Sequence, residues 1–195
     1  MKAFCQACEN NKGPLLAVLE PLFAERRTVL EIGSGTGQHA AFFAAHMSWL
    51  RWQTSDLSCN HASIAAWIDG IENARAPLTL DVDADEWPDE HYDGAFSANT
   101  AHIMSWSSVT RMFHGVGGVL RSGGVFALYG PFNYAGRYTS AGNEHFDRQL
   151  RAGGASMGIR NFEEVSTLAH AAGMNLLADH AMPANNRTLV WEKEL

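Results

Sequence analysis

Residues 29–37 have the sequence Val29-Leu30-Glu31-Ile32-Gly33-Ser34-Gly35-Thr36-Gly37, in which an apolar run ends in three alternating glycines. The apolar part predicts a short buried strand over 28–32, and a helix is predicted over 38–47, after the glycines. Open α/β sheets bind ligands where a strand turns into its helix, and glycine lets the backbone approach a ligand closely because it has no Cβ. This stretch therefore predicts an α/β fold with a ligand site at the turn.

The spacing of the glycines limits the kind of ligand. Gln38 follows Gly37, so the pattern is G-x-G-x-G and not the G-x-G-x-x-G of dinucleotide-binding turns. Glu31 precedes the first glycine by two residues, and a carboxylate there suits a cationic group far better than a pyrophosphate. A tight turn without any ligand is the alternative interpretation.

Strand and helix patterns alternate along the rest of the chain. Helices are predicted at 12–26 (interrupted by Pro21), 61–71, 105–121, 143–151 and 161–172, and strands at 50–54, 78–80, 92–98, 124–129, 174–181 and 187–192. The alternation implies βαβ units, and a turn at Asn185-Asn186 favours an antiparallel pair at the end. We therefore expect one domain over 1–195 with a doubly wound, Rossmann-like, mostly parallel seven-stranded sheet and a C-terminal antiparallel hairpin.

Composition excludes several classes of function. The 195 residues contain 14 Lys+Arg and 21 Asp+Glu, a formal net charge of −7, which argues against binding to nucleic-acid backbones. No apolar run is long enough to span a membrane, and the N-terminus does not have the pattern of a signal peptide. The three cysteines cannot pair completely, and Cys5-x-x-Cys8 lacks further ligands for a metal. We expect a cytoplasmic protein without a metal, as a monomer or a homodimer.

Two further acids follow predicted strands. Asp56 lies 19 residues after Gly37, close to the usual position of an acid that binds a ribose hydroxyl. Asp81 ends the third predicted strand, where a carboxylate could accept from an adenine amino group. The alternatives are a helix cap or Asx turn for Asp56, and a solvated loop acid for Asp81, with Asp83 and Asp85 as competitors for its role.

A glycine-rich turn surrounded by strand-end carboxylates resembles the class I S-adenosylmethionine-dependent methyltransferases, and the resemblance covers nearly the whole chain. The segments 9–12, 97–102, 129–134, 136–140 and 182–187 are together similar to a little-characterised subfamily. It is catalogued as a domain of unknown function (number 938), with animal relatives called methyltransferase-like protein 26. The resemblance implies a methyltransferase fold and S-adenosyl-L-methionine as cofactor, with S-adenosyl-L-homocysteine as product, but no established substrate. Cys5 and Cys8 depart from the family pattern.

The cofactor and catalytic residues are predicted as two sets. The cofactor-binding set is Asn11, Lys12, Glu31, Gly33, Ser34, Gly35, Gly37, Gln38, Asp56, Leu57, Asp81, Val82 and Asn99. The catalytic set is His102, Asn99 and Tyr134, with His102 as the candidate general base because imidazole titrates near neutral pH. A packed or solvated histidine is the alternative. Asn99-Thr100-Ala101-His102 lacks the prolines typical of enzymes that methylate the amino groups of bases, which disfavours a flipped DNA base as substrate.

A long loop over 129–143 combines aromatic residues with glycines and asparagines, which favours a lid or the wall of a pocket. The predicted substrate-binding set is His102, Phe132, Asn133, Tyr138, Asn143, Asp147 and Asn186. An ordered surface loop with its aromatic rings in the core is the alternative.

Methyl transfer to O, N or S of a small molecule is the leading hypothesis for function. A non-catalytic S-adenosylmethionine-binding regulator is the first alternative. A nicotinamide-dependent oxidoreductase is disfavoured by the glycine spacing and by Glu31. A nucleic-acid methyltransferase would need a basic track, and Arg26-Arg27 is too little.

Overall fold

The structure, a computed structural model, describes residues 2–84 and 86–195. Asp85, one of the competitors of Asp81, lies outside the described residues. The strands are Thr28–Ile32 (β1), Arg51–Asp56 (β2), Ala74–Thr79 (β3), Tyr92–Ala98 (β4), Leu120–Gly130 (β5), Phe132–Asn133 (β6), Arg160–Asn161 (β7), Met174–Met182 (β8) and Asn186–Lys193 (β9). The α-helices are Gln6–Leu22 (α1), Gln38–His46 (α2), His61–Ile68 (α3), Trp106–Val119 (α4), Ala141–Gly153 (α5) and Phe162–Ala171 (α6). Short 3-10 turns cover Ser58–Asn60 and Pro183–Asn185.

Seven strands form one sheet in the order β3-β2-β1-β4-β5-β9-β8. The first five pair in parallel, and β9 pairs antiparallel with both β5 and β8. The predicted α/β fold with a C-terminal antiparallel hairpin is therefore confirmed. The strand order reverses between β1 and β4, and this is the point where open α/β sheets leave a crevice for a ligand.

Apolar side chains cover both faces of the sheet because successive residues of a strand point to opposite sides. In β1, Leu30 packs with Phe126 and Trp191 on the face that α4 and α6 cover. Val29 packs with Phe43 on the other face, against α1, α2 and α3. The central strands are packed on both sides, and this packing sets the position of their carboxyl ends.

The bounds of helix α1 and strand β3 differ from the prediction. Helix α1 begins at Gln6 and not near residue 12. The sequence did not predict the first turn, because its polar residues show no apolar period. In the structure, contacts with α2 hold this turn in place. Strand β3 covers Ala74–Thr79 and not 78–80, so Asp81 follows the strand by two residues. This edge strand is half exposed and contains Pro77, so it lacks the apolar run typical of a buried strand.

A two-stranded sheet of β6 and β7 was not predicted, because strands of two residues are too short to show a period. It pairs Phe132 with Arg160 and Asn133 with Asn161 in parallel, and so fixes the loop that follows β5. Within the described part of the chain, no helix combines the length and the apolar character needed to cross a membrane.

Candidate functional site

The three glycines of the turn over residues 33–37, the glycine turn, all have left-handed backbone angles, with φ of +71°, +58° and +93°. A Cβ at Gly33 would lie 2.7 Å from the Thr100 methyl group, and one at Gly37 would lie 2.7 Å from the Ile64 Cα. A Cβ at Gly35 would meet nothing within 4 Å. Close packing therefore requires the outer two glycines, whereas Gly35 faces open space.

That open space is a cavity of about 490 Å³ beyond the carboxyl ends of β1, β2 and β4, which we call the acidic cavity. Three aspartates line it, together with apolar residues and one side of the glycine turn. Its lining residues are Ile32, Gly33, Gly35, Asp56, Leu57, Asn60, Leu80, Asp81, Val82, Asp83, Ala98, Asn99, Thr100, Ile103, Met104 and Ser108. Seven members of the predicted cofactor-binding set lie here.

Asp56 connects the end of β2 to the glycine turn. Its Oδ2 accepts a hydrogen bond of 2.6 Å from the Gly35 amide. Its Oδ1 accepts from the Leu57 amide and from Asn60 Nδ2. The carboxylate is therefore held in one orientation at the wall of the acidic cavity, where it remains able to accept further hydrogen bonds from a ligand.

The other two aspartates of the acidic cavity differ in their partners. Asp81 Oδ1 accepts from the Asp83 amide at 2.9 Å, a local turn that leaves its carboxylate at the wall. Asp83 accepts from the Ser108 hydroxyl and from Arg111, and these hydrogen bonds hold the pKa of Asp83 below its usual value. Asp83 therefore anchors the start of α4, and Asp81 is the acid with more capacity for a ligand.

Glu31 is fully buried behind the glycine turn and does not line the acidic cavity. Its Oε2 accepts from the Ser34 hydroxyl at 2.9 Å and from the Trp52 indole at 3.0 Å. Burial raises the pKa of Glu31 to about 7, although both hydrogen bonds oppose the shift. This carboxyl group can therefore change its charge near neutral pH.

Three other predicted cofactor residues lie where α1 packs against α2. Asn11 Oδ1 lies 2.7 Å from His39 Nε2, and Gln38 Nε2 donates to Glu9 at 2.7 Å. Lys12 forms an ion pair with Glu9. These side chains bind one another. They line neither the acidic cavity nor the second cavity, which is described in the next paragraph. Their contacts hold the first turns of α1 against the start of α2.

Asn99 has a left-handed backbone with φ of +60°, a conformation that asparagine tolerates better than most residues. Its amide donates to the Tyr129 carbonyl at 2.9 Å, which places it where β4 ends. Asn99 lines the acidic cavity and also a second cavity of about 430 Å³, which we call the amide cavity. The amide cavity is lined by Asn99, Pro131, Ser140, Gly142, Asn143, Phe146, Ala184, Asn185 and Asn186.

Of the predicted substrate-binding residues, two line the amide cavity and the others line neither cavity. Asn143 and Asn186 line the amide cavity. Phe132 belongs to the buried core, as in the alternative interpretation of the loop. Asn133 is buried, and its Oδ1 has no hydrogen-bond partner among the described residues.

Asp147 and Tyr138, two more of the predicted substrate-binding residues, bind each other. The Tyr138 hydroxyl donates to Asp147 at 2.8 Å. Asp147 is buried and also accepts from Arg151 Nε and from the Ile159 amide. These donors hold the pKa of Asp147 below its usual value against the opposite effect of burial. The structure thus gives Asp147 the role of fixing α5 to the segment before β7.

Two of the three predicted catalytic residues line neither cavity. The Tyr134 hydroxyl donates to Asp179 on β8 at 2.8 Å, and burial together with this carboxylate raises the pKa of Tyr134. The His102 ring is buried and packs edge-on against Phe146 at 5.4 Å between centroids. Burial lowers the pKa of His102 to about 4. His102 is therefore uncharged at neutral pH and lies behind the wall of the amide cavity.

Tyr129 begins the loop over 129–143 but was not among the residues predicted to bind cofactor or substrate. It is buried at the end of β5, and burial raises the pKa of its hydroxyl. The side chains of Asn11 and Asn186 partly offset this rise. Tyr129 thus lies between α1 and the wall of the amide cavity. An aromatic residue inside a strand gives no signal for such a role, because the same pattern is typical of core packing.

Ser140 and Phe146 were also not predicted. Ser140 caps α5 by accepting from the Asn143 amide at 3.0 Å, and serine is one of the residues preferred at a helix N-cap. Phe146 has no such signal, because only the packing of α5 brings it to the amide cavity. Among residues 2–84 and 86–195, no group of His, Cys, Asp and Glu is arranged to hold a metal ion.

Comparison with known proteins supports the geometry. A family model described as "Protein of unknown function (DUF938)" matches residues 2–193. An O-methyltransferase family protein from Burkholderia thailandensis is similar in structure, with a TM-score of 0.85 and 15% identity over 97% of this chain and 58% of that protein. Human N-acetylserotonin methyltransferase in complex with SAM has a TM-score of 0.82 and 13% identity over 97% of this chain and 53% of that one.

PigF, whose structure was solved with SAH, has a TM-score of 0.79 and 15% identity over 97% of this chain and 64% of that one. The chain thus spans between about half and two thirds of the length of these proteins. At such low identity the likeness shows the fold alone, an α/β fold that this chain shares with these proteins.

Proposed function

The chain belongs to the DUF938 family of proteins of unknown function, and from this premise we propose that it is an S-adenosylmethionine-dependent methyltransferase. The acceptor is a small molecule, methylated on O, N or S. One observation carries the proposal: an acidic cavity beside the glycine turn and a neutral cavity of similar size share the wall residue Asn99. A cofactor in one and an acceptor in the other would meet at that residue.

The acidic cavity fits S-adenosylmethionine by its chemistry. The open space beside Gly35 leaves room for the cofactor against the backbone. Asp56 would accept from the ribose hydroxyls, and Asp81 from the adenine amino group, with Leu57 and Val82 as apolar walls for the base. The aspartates also favour the positive sulfonium of the cofactor over a neutral or anionic ligand.

Glu31, which lies behind the glycine turn, would hold the amino group of the methionine part of the cofactor through the Ser34 hydroxyl that donates to it. Its burial makes the interaction strong, because a buried carboxylate without a cation is unfavourable. Gly33 and Gly37 would keep the glycine turn in shape, and the α1 contacts of Asn11, Lys12 and Gln38 would hold the helix that covers it.

The bound cofactor supplies an electrophilic methyl group, and the chain supplies its position. Asn99 would hold the acceptor and the cofactor in line through its side chain and its fixed backbone. Such alignment of two reactants lowers the activation free energy by several kcal/mol, on the order of 7–11 kcal/mol in the best cases. His102 would shape the wall behind the acceptor in its uncharged form.

A non-catalytic S-adenosylmethionine-binding protein is the second candidate. It is favoured by the places of His102 and Tyr134, which line neither cavity. The two candidates share the acidic cavity and differ only in whether bound cofactor is consumed.

Titration calorimetry with S-adenosylmethionine, S-adenosylhomocysteine and NAD tests the proposal. We expect binding of the first two and none of NAD. Asp56→Ala should weaken cofactor binding by about 100-fold, because it removes a charged acceptor worth on the order of 3 kcal/mol. Asp69→Ala, an equal change of charge at an exposed position on the surface, should leave the affinity unchanged.

Asp56→Asn is the companion variant, because it keeps one oxygen near the Gly35 amide and preserves the turn. Equal affinity in the wild type, Asp56→Ala and Asp56→Asn proteins would contradict the site. Release of S-adenosylhomocysteine in the presence of small phenols, thiols or amines separates an enzyme from a binding protein.

A further inference from the structure

The amide cavity has no charged wall. Four of its lining residues are asparagines (Asn99, Asn143, Asn185 and Asn186), one is Ser140 and one is Phe146; of the described residues that line it, none is Asp, Glu, Lys, Arg or His. Amide groups both donate and accept hydrogen bonds, so they suit uncharged polar groups. A carboxylate or an ammonium group that loses its water there would find no opposite charge, which is unfavourable.

Two charged residues on segments next to the amide cavity, Asp147 and Arg160, are already engaged. Asp147, on the same helix as Asn143, accepts from Tyr138, Arg151 and the Ile159 amide. Arg160 donates its guanidinium to backbone carbonyls, including that of Ala101 at 2.9 Å. These groups have little capacity left to turn towards a charged ligand.

The amide cavity also has an aromatic wall. Phe146 lines it, and the edge-on contact with the buried His102 ring holds Phe146 from behind. A volume of about 430 Å³ lies within the range of small-molecule sites, roughly 300–1,000 Å³. A planar ring against Phe146, with polar substituents that reach the asparagine side chains, would use both kinds of wall.

We infer that the amide cavity takes an uncharged aromatic hydroxyl compound as the methyl acceptor and discriminates against acceptors that carry a carboxylate or an ammonium group. This inference rests on the proposed function and names its substrate class. In the reaction, a lone pair of the hydroxyl oxygen forms the new O–CH₃ bond. The S–CH₃ bond of the cofactor breaks, its electron pair stays on sulfur to give S-adenosylhomocysteine, and the hydroxyl proton leaves to solvent water.

Three probes of equal ring size test the inference: 2-naphthol, 2-naphthoate and 2-naphthylmethylamine, which is an ammonium ion at pH 7.5. Calorimetry first confirms that the protein is loaded with S-adenosylhomocysteine, and each probe is then titrated into that complex. We expect 2-naphthol to bind at least about tenfold more tightly than either charged probe. Turnover with S-adenosylmethionine should follow the same order.

The outcomes separate the two proposals. If the cofactor does not bind, the proposed function fails, whatever the probes do. If the cofactor binds and a charged probe binds as tightly as 2-naphthol, or no probe binds, the inference fails and the cofactor site stands. Cofactor binding with a preference for 2-naphthol, but without turnover, supports the specificity of the cavity and contradicts its role in methyl transfer.

Two variants test whether the asparagines set the preference. Asn186→Asp and Asn143→Asp each add a carboxylate to the cavity wall, and each should raise the affinity for 2-naphthylmethylammonium relative to 2-naphthol by about tenfold. Asn143 donates to Thr139 and to the Asn185 carbonyl, so Asn186→Asp remains the test if Asn143→Asp does not fold. Asn175→Asp, an equal change on the exposed edge strand β8, should leave the ratio unchanged. An unchanged ratio in both cavity variants would overturn the inference.

Discussion

The two cavities that share Asn99 are built from different parts of the fold. The acidic cavity lies at the carboxyl ends of parallel strands, and three of its wall residues are aspartates. The amide cavity lies between the start of α5 and the turn before β9, and four of its wall residues are asparagines. Asp56 at the end of β2, with Asp81 and Asp83 just beyond β3, supplies the charged groups. Loops and a helix start supply the neutral groups. Such a division suits one fixed cationic ligand and one exchangeable neutral ligand.

The largest effect that we predict distinguishes two glycines within the turn at the acidic cavity. Gly37→Ala should lower the free energy of unfolding by roughly 3–5 kcal/mol, because its Cβ would meet the Ile64 Cα at 2.7 Å in a left-handed conformation. Gly35→Ala should cost only about 1–2 kcal/mol, the conformational part alone, since its Cβ meets nothing within 4 Å. Urea unfolding measures both values.

Cofactor affinity should rank the same two variants in the opposite order, with the larger loss in Gly35→Ala. Gly35→Ala fills space that the proposed site leaves for the cofactor, so folded protein should bind S-adenosylmethionine at least about tenfold more weakly. The folded fraction of Gly37→Ala should keep most of its affinity. An unaffected affinity in Gly35→Ala would show that the cofactor does not approach the backbone there.

The next effect concerns pH, because Glu31 titrates near neutrality. Its pKa is raised from 4.5 to about 7 in the folded protein, so the folded state binds this proton more strongly than the unfolded state. The contribution of Glu31 to stability is therefore fully present below pH 4.5 and falls as the pH rises to 7, by roughly 3 kcal/mol. Comparison of wild type with Glu31→Gln by urea unfolding at several pH values isolates this contribution.

The titration of Glu31 also predicts that ligand binding to the two cavities depends differently on pH. If its carboxylate holds the amino group of the cofactor, binding requires loss of the proton, and the affinity should rise by up to about tenfold per pH unit as the pH approaches 7. Binding of 2-naphthol to the amide cavity should not change over the same range, because His102 is already uncharged above pH 5. Calorimetry in two buffers of different ionisation enthalpy counts the protons released. A cofactor affinity that does not change with pH would show that the Glu31 carboxylate does not bind the cofactor.

The sequence predicted the acidic cavity better than the amide cavity. Gly35, Asp56 and Asp81 were predicted to meet because parallel strands end at one edge, and the structure brings them to one wall. That prediction needs only the strand pattern, which buried strands show clearly. The wrong boundary of β3 did not change the expected position of Asp81. Leu80 continues the pairing of β3 with β2 through its hydrogen bond to the Asp56 carbonyl.

The amide cavity depends on contacts between residues far apart in the chain, and no local pattern encodes them. Asn143 and Asn186 were predicted to bind substrate, and the structure places both at the wall of the amide cavity. Tyr134, which was predicted to be catalytic, instead donates to Asp179. Asparagine and tyrosine can each line a pocket wall or anchor a loop by hydrogen bonding. Only the packing of the loop through β6 and β7, which is too short to predict, decides between the two roles.

The smallest effect compares two serine caps. Ser140 caps α5 and lines the amide cavity, and Ser105 caps α4 by accepting from the Ser108 amide. Replacing either with alanine should lower the free energy of unfolding by about 1 kcal/mol, the usual value of an N-cap. Only Ser140→Ala should also weaken 2-naphthol binding, by a few fold, because Ser105 lines neither cavity. Equal loss of 2-naphthol affinity in both variants would mean that helix stability, and not the wall of the amide cavity, controls acceptor binding.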